Sequence, residues 1–90
     1  MEAQSPARIP VKVPDIGAEA DQIRFVGWLK QVGELVQEDD DLFEIETDKA
    51  NLVCAAEASG RLVEQVVTEP GQVVGIDQVV GWLEPVEPES

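Results

Sequence analysis

Histidine and tyrosine are absent from this 90-residue chain, and cysteine occurs once, as Cys54. Without histidine, neither a Cys–His pair nor a Ser–His–Asp triad can be assembled. A single cysteine excludes a disulfide within the chain. Basic residues are scarce, 6 against 19 acidic ones, which gives a formal net charge of −13. Nucleic acids and anionic membrane surfaces are recognised by basic faces, so neither is an expected partner. No apolar run approaches the ~18 residues that mark a membrane-spanning helix. The leading segment Met1–Pro10, MEAQSPARIP, has no apolar core of the kind that opens a secretory signal. A reducing compartment, the bacterial cytosol or a mitochondrial matrix, is the simplest expectation. Aromatics are few: Phe25, Trp28, Phe43 and Trp82. The core must therefore be built mainly from Val, Leu, Ile and Ala. The acidic run Glu38-Asp39-Asp40-Asp41 lacks the glycine that a calcium loop needs at its sharp turn, and no metal site is expected.

What the chain does contain is an internal repeat. A shift of 38 residues superposes Gly33 on Gly71, Val36 on Val74, Asp39 on Asp77, Leu42 on Val80, Ile45 on Leu83 and Glu46 on Glu84. Upstream, the same shift places Phe25 on Val63, Trp28 on Val66 and Leu29 on Val67. Two copies are too few for a solenoid and suit a pseudo-twofold domain. The local signals are mostly strand. Ile9, Val11 and Val13 alternate with other residues, and segments 42–47, 50–54, 61–67 and 79–83 are apolar and bounded by turn residues. Residues 19–32 also fit an amphipathic helix through Ala20, Ile23, Val26 and Leu29. Gly27, the β-branched residues and the match to 61–67 favour a strand. An all-β domain of two packed sheets follows, with each half contributing to both. Phe25, Leu42, Ile45, Val66, Val80 and Leu83 are its expected core. Residues 1–8 and 85–90 read as tails around a domain of residues 9–84, the second of them acidic and proline-punctuated.

At the join of the repeats stands Glu44-Ile45-Glu46-Thr47-Asp48-Lys49-Ala50. Lys49 is the only basic residue between Lys30 and Arg61. It falls in a loop of about two residues between adjacent strands, where Asp48 suits the start of a turn. Among Glu44, Glu46 and Asp48, with no neighbouring cation, its amine is expected to stay charged and to be a poor nucleophile. Lys49 is therefore a better acceptor for an external ligase than a catalyst. Cys54, on an apolar strand, reads as a small buried hydrophobe. Trp28 and Trp82 read as packing residues.

This stretch resembles the attachment motif of lipoyl domains, and the likeness extends over roughly residues 10–84. Val11-Lys12-Val13-Pro14-Asp15-Ile16-Gly17 looks like their first strand and loop, and Trp28 through Glu34 like their second strand and its closing turn. The resemblance implies a flattened β-barrel, a barrel-sandwich hybrid of two four-stranded sheets related by a pseudo-twofold. It implies lipoic acid attached covalently to Lys49, with Asp48 and Ala50 read by the lipoate-attaching enzymes. It further implies a carrier in a 2-oxo acid dehydrogenase complex, forming part of the acyltransferase component without being catalytic itself. The partners would be a thiamine-dependent 2-oxo acid decarboxylase and a flavoprotein dihydrolipoyl dehydrogenase. The high negative charge would then steer the domain toward basic patches on these proteins.

The sequence departs from that family in three places. Val53-Cys54-Ala55-Ala56-Glu57 stands where many members have a proline-rich segment. Asp39 and Asp77 stand where relatives often have glycine, and the loop after Gly17 reads Ala-Glu-Ala. Two other readings share the fold. A biotin carrier would have methionines on both sides of the lysine, where this chain has Asp48 and Ala50. An unmodified barrel-sandwich spacer would make Lys49 ordinary surface.

Overall fold

The computed structural model describes residues 8–16, 23–48 and 50–86. Among the described residues all the regular elements are strands: β1 (Ile9–Lys12), β2 (Ile23–Trp28), β3 (Leu35–Val36), β4 (Asp41–Glu46), β5 (Asn51–Ala55), β6 (Gly60–Gln65), β7 (Val73–Val74) and β8 (Val79–Glu84). They form two four-stranded sheets with orders β1-β8-β6-β3 and β5-β4-β2-β7, and every pairing is antiparallel. The ambiguous segment is strand β2, and its residues 19–22 lie outside the described residues. The expected strands at 42–47 and 50–54 begin and end one residue off, at 41–46 and 51–55. Strands β3 and β7 escaped sequence reading, because two residues are too few to display a period.

The repeat is carried down to single hydrogen bonds. Gly33 and Gly71 share a left-handed backbone, with φ of 98° and 89°. The Gly33 N–H donates to the Leu62 carbonyl at 2.7 Å, and the Gly71 N–H to the Phe25 carbonyl at 2.7 Å. Asp39 and Asp77 also have positive φ, 78° and 69°. Aspartate tolerates this region better than most side chains, which suits it to both turns.

These bonds correct one part of the sequence alignment. Arg24 pairs with Glu46 as Arg61 pairs with Glu84, and Phe25 pairs with Ile45 as Leu62 pairs with Leu83. Phe25 is thus equivalent to Leu62, not to Val63. The offset in this strand is 37, and the missing residue is recovered in the longer β6–β7 connection. The core changes accordingly. Phe25, Leu42, Ile45, Val80 and Leu83 are buried as expected, but Val66 is 50% exposed and Val67 takes the interior place. The 37-residue offset makes Val66 the counterpart of Leu29, which is likewise exposed at 47%, so the register of the strand turns Val66 outward. The N–H groups of Val66 and Val67 both donate to the Val80 carbonyl, at 2.8 and 3.1 Å, a bulge that follows the strand.

Two long side chains tie the sheets across the pseudo-twofold. The Trp28 indole N–H donates to the Val67 carbonyl at 2.7 Å, and the Gln65 Nε2 donates to the Lys30 carbonyl at 3.0 Å. Trp28 packs against Phe25 and Phe43 with ring centroids 5.8 and 5.4 Å apart. Its outer edge fills the space over Gly81, where a Cβ would come within 2.7 Å of the indole Cη2.

Candidate functional site

The candidate site is the β4–β5 hairpin. Its register follows from burial. Phe43 and Ile45 face the core, and their partners on β5 are Cys54 and Leu52. Glu44 and Glu46 on the outer face lie opposite Val53 and Asn51. A slip of one residue would expose Phe43 and Ile45 and bury two glutamates, so the register is tightly set. The Asn51 Nδ2 adds a bond to the Glu44 carboxylate at 3.3 Å.

The hairpin closes at Thr47 and Ala50. The Thr47 N–H donates to the Ala50 carbonyl at 2.8 Å. The Thr47 hydroxyl donates to the same carbonyl and accepts the Ala50 N–H, both at 3.2 Å. Residues 48 and 49 are what join these two positions, as the two-residue loop reading required. Lys49 lies outside the described residues. Its sequence neighbours Asp48 and Ala50 are both exposed, a setting in which an enzyme acting on the turn meets little obstruction.

Two features of the hairpin were not read from the sequence. One is the Thr47 clamp, for which a hydroxyl residue opening a turn was the available signal. The other is Arg24. The β2–β4 register sets it opposite Glu46, and it lines an open cleft of about 150 Å³ together with Glu46, Thr47 and Asp48. Arg24 is 25 residues from Lys49 in sequence, and only the strand pairing brings it to this end of the sheet.

The remaining lysines and the thiol occupy other settings. Lys12 lies within β1, and the Lys30 ammonium is 3.6 Å from the Asp40 carboxylate. Asp40 also accepts the Gln37 N–H at 2.9 Å, so this part of the acidic run serves its own turn. Cys54 is buried, and burial pushes its thiol up to about 11 from 9.0. It is a packing residue with negligible thiolate at neutral pH.

The described residues on either side of the turn, Asp48 and Ala50, are exposed above a pair of strands whose register is set by the burial of Phe43 and Ile45.

Comparisons with known proteins agree with the two-sheet fold. The profile of the family described as "Biotin-requiring enzyme", the biotin/lipoyl attachment domain, matches residues 9–83. The chain is 33% identical over 73 residues to the dihydrolipoyllysine-residue succinyltransferase component of the 2-oxoglutarate dehydrogenase complex of Bacillus subtilis, covering 81% of this chain and 17% of that protein. It is 38% identical over 66 residues to the lipoamide acyltransferase component of the branched-chain alpha-keto acid dehydrogenase complex of Pseudomonas aeruginosa, covering 73% of this chain and 15% of that protein. Among solved structures, the lipoyl domain of the 2-oxoglutarate dehydrogenase complex from Azotobacter vinelandii superposes with a TM-score of 0.64 at 33% identity, covering 83% of this chain and 94% of that one. The chain therefore spans about a sixth of the length of these two acyltransferase components and nearly the whole of the solved domain.

Proposed function

The chain belongs to the biotin/lipoyl attachment family, and on that premise we propose that it is a lipoyl carrier domain with Lys49 as its attachment residue. The carrier role fits both the acyltransferase relatives and the lipoyl-domain neighbour. The observation that carries the assignment to Lys49 is the hairpin closure. Thr47 and Ala50 bond to one another through backbone and side chain, which leaves Asp48 and Lys49 alone as the loop. When attached, a lipoyl group supplies a dithiolane that accepts and releases acyl groups and electrons. The chain's own residues hold its point of attachment. The β4–β5 register fixes the turn, Thr47 sets the distance across it, and Asp48 and Ala50 flank the lysine for recognition by a lipoate-attaching enzyme.

Residues 9–84 form the carrier unit in this reading, with 1–8 and 85–90 as flanking chain. The parent assembly is a 2-oxo acid dehydrogenase complex, in a bacterial cytoplasm or a mitochondrial matrix. A thiamine-dependent decarboxylase and a flavoprotein dehydrogenase are its partners. The biotin alternative is disfavoured by Asp48 and Ala50, which stand where that group has methionines. Intact mass of the protein from cells supplied with lipoate and biotin tests the reading. A lipoyl increment that disappears in Lys49→Arg is the expected result. A biotinyl increment, no increment, or a lipoyl increment that survives in Lys49→Arg would overturn it.

A further inference from the structure

The two sheets have four edge strands: β1 and β3 in one, β5 and β7 in the other. Exposed edges invite pairing with other chains, and proteins blunt them with short strands, proline or lysine. Strands β3 and β7 have only two residues each. Strand β1 carries Pro10 and Lys12. Strand β5, Asn51-Leu52-Val53-Cys54-Ala55, has five residues with no proline and no charge.

The pseudo-twofold makes this contrast position by position. Pro10 pairs with Trp82 as Val53 pairs with Glu44, and Lys12 pairs with Val79 as Ala55 pairs with Asp41. Both protective residues of β1 are thus replaced on β5 by neutral aliphatic ones. The Thr47 N–H donates to the Ala50 carbonyl, and just beyond the other end of β5 the Ala56 N–H donates to the Asp40 carbonyl while the Ala56 carbonyl accepts the Asp39 N–H. Alternation along the ladder then turns the N–H and C=O of Asn51 and Val53 away from β4. Pro10, which has no N–H, occupies the position equivalent to Val53, as that alternation requires.

We propose that the free edge of β5 is a docking strand for an extended segment of a partner protein in which apolar and basic residues alternate. Main-chain bonds to Asn51 and Val53 would hold the segment. Its side chains alternate between two faces. On the inner face it meets Leu52, which is 37% exposed beside the core residue Ile45. On the outer face it meets Val53, itself 51% exposed, with the carboxylates of Glu44 and Glu46 on the next strand. A second copy of this chain fits poorly, because edge-to-edge pairing would bring these glutamates toward their own counterparts and join two chains of charge −13. The edge begins two residues after Lys49, so a segment bound there brings its protein to the turn. The docking itself does not depend on what Lys49 carries.

Amide NMR of the full chain, titrated with a synthetic peptide of alternating valine and lysine, tests the proposal. Shifts concentrated at residues 51–55 are expected, with slowed hydrogen exchange at Val53. A valine–glutamate peptide is expected to bind far more weakly. Val53→Pro should weaken binding about tenfold, the equivalent of one lost hydrogen bond. Val53→Lys keeps the amide but repels a basic segment and should weaken binding as well. It decides the matter should the proline variant not fold. Equal binding of both peptides, shifts centred on β1, β3 or β7, or full affinity in Val53→Lys would overturn the docking strand. Concentration-dependent shifts at residues 51–55 without peptide would show self-association and overturn it too. A wild type that fails to gain lipoyl mass would instead refute the carrier reading alone.

Discussion

The two halves of the molecule share a ladder but finish it differently. In one half, β4 and β5 are joined by a two-residue loop that includes Lys49. In the other, the equivalent strands β8 and β1 are the last and first among the described residues and pair without being consecutive. Around this difference the halves match closely, in the left-handed residues at 33 and 71 and at 39 and 77, and in the cross-sheet donors Trp28 and Gln65. The lesson is that the repeat is scaffold, and the function proposed here lies where the repeat is broken. A second break is internal. Phe43 in one half corresponds to Gly81 in the other, and the Trp28 ring spans the gap between them.

If the scaffold is symmetric, equivalent core positions should fail alike. Phe25 and Leu62 are both 0% exposed. Phe25→Ala should destabilise by about 3–5 kcal/mol and Leu62→Ala by about 2–5 kcal/mol. A single small domain has little more than ~5 kcal/mol to lose, so denaturant unfolding should find both variants largely unfolded or close to it. A loss below about 1 kcal/mol for either would break the equivalence.

Glycines on the two sheets sharpen the contrast at a smaller scale. A Cβ at Gly81 would lie 2.7 Å from the Glu64 carbonyl oxygen and 2.7 Å from the Trp28 ring, whereas a Cβ at Gly27 meets nothing within 4 Å. Gly81→Ala should therefore cost about 1–3 kcal/mol. Gly27→Ala should stabilise by about 0.5 kcal/mol, because glycine in a strand loses more backbone freedom on folding. Thermal or denaturant unfolding of the two variants checks the opposite signs.

The Val66–Val67 bulge gives the smallest expected difference. Val67→Ala removes buried methyl groups and should cost about 1–2 kcal/mol, while Val66→Ala on the exposed side should stay within about 0.5 kcal/mol. Equal losses would mean that Val67 does not hold the interior place.

Much of this architecture was legible in the sequence, for reasons visible at particular residues. Gly33 with Gly71 and Asp39 with Asp77 mark turns whose backbone few side chains adopt, so they kept the repeat in view. Ile45 and Leu83 kept the core in register. The slip of one residue between Phe25 and Leu62 was hidden because β6 reads Leu62-Val63 and either residue looks like core. Bulges are set by backbone pairing and leave little trace in a run such as Val66-Val67. Lys49 was conspicuous as a lone cation in an acidic segment. The Thr47 clamp and the approach of Arg24 were not, since the first is a hydrogen-bond detail and the second depends on distant strands being paired.

The central claim is that the closed two-residue turn is what makes one half of this repeat a carrier. Insertion of one glycine between Asp48 and Lys49 tests it most directly. The wild type, Lys49→Arg and the insertion variant would be produced with lipoate present and compared by intact mass and peptide mapping, with unfolding curves as a control. The account predicts a lipoyl group on Lys49 in the wild type only, and an insertion variant that folds yet stays unmodified. An insertion variant modified as fully as the wild type would contradict it.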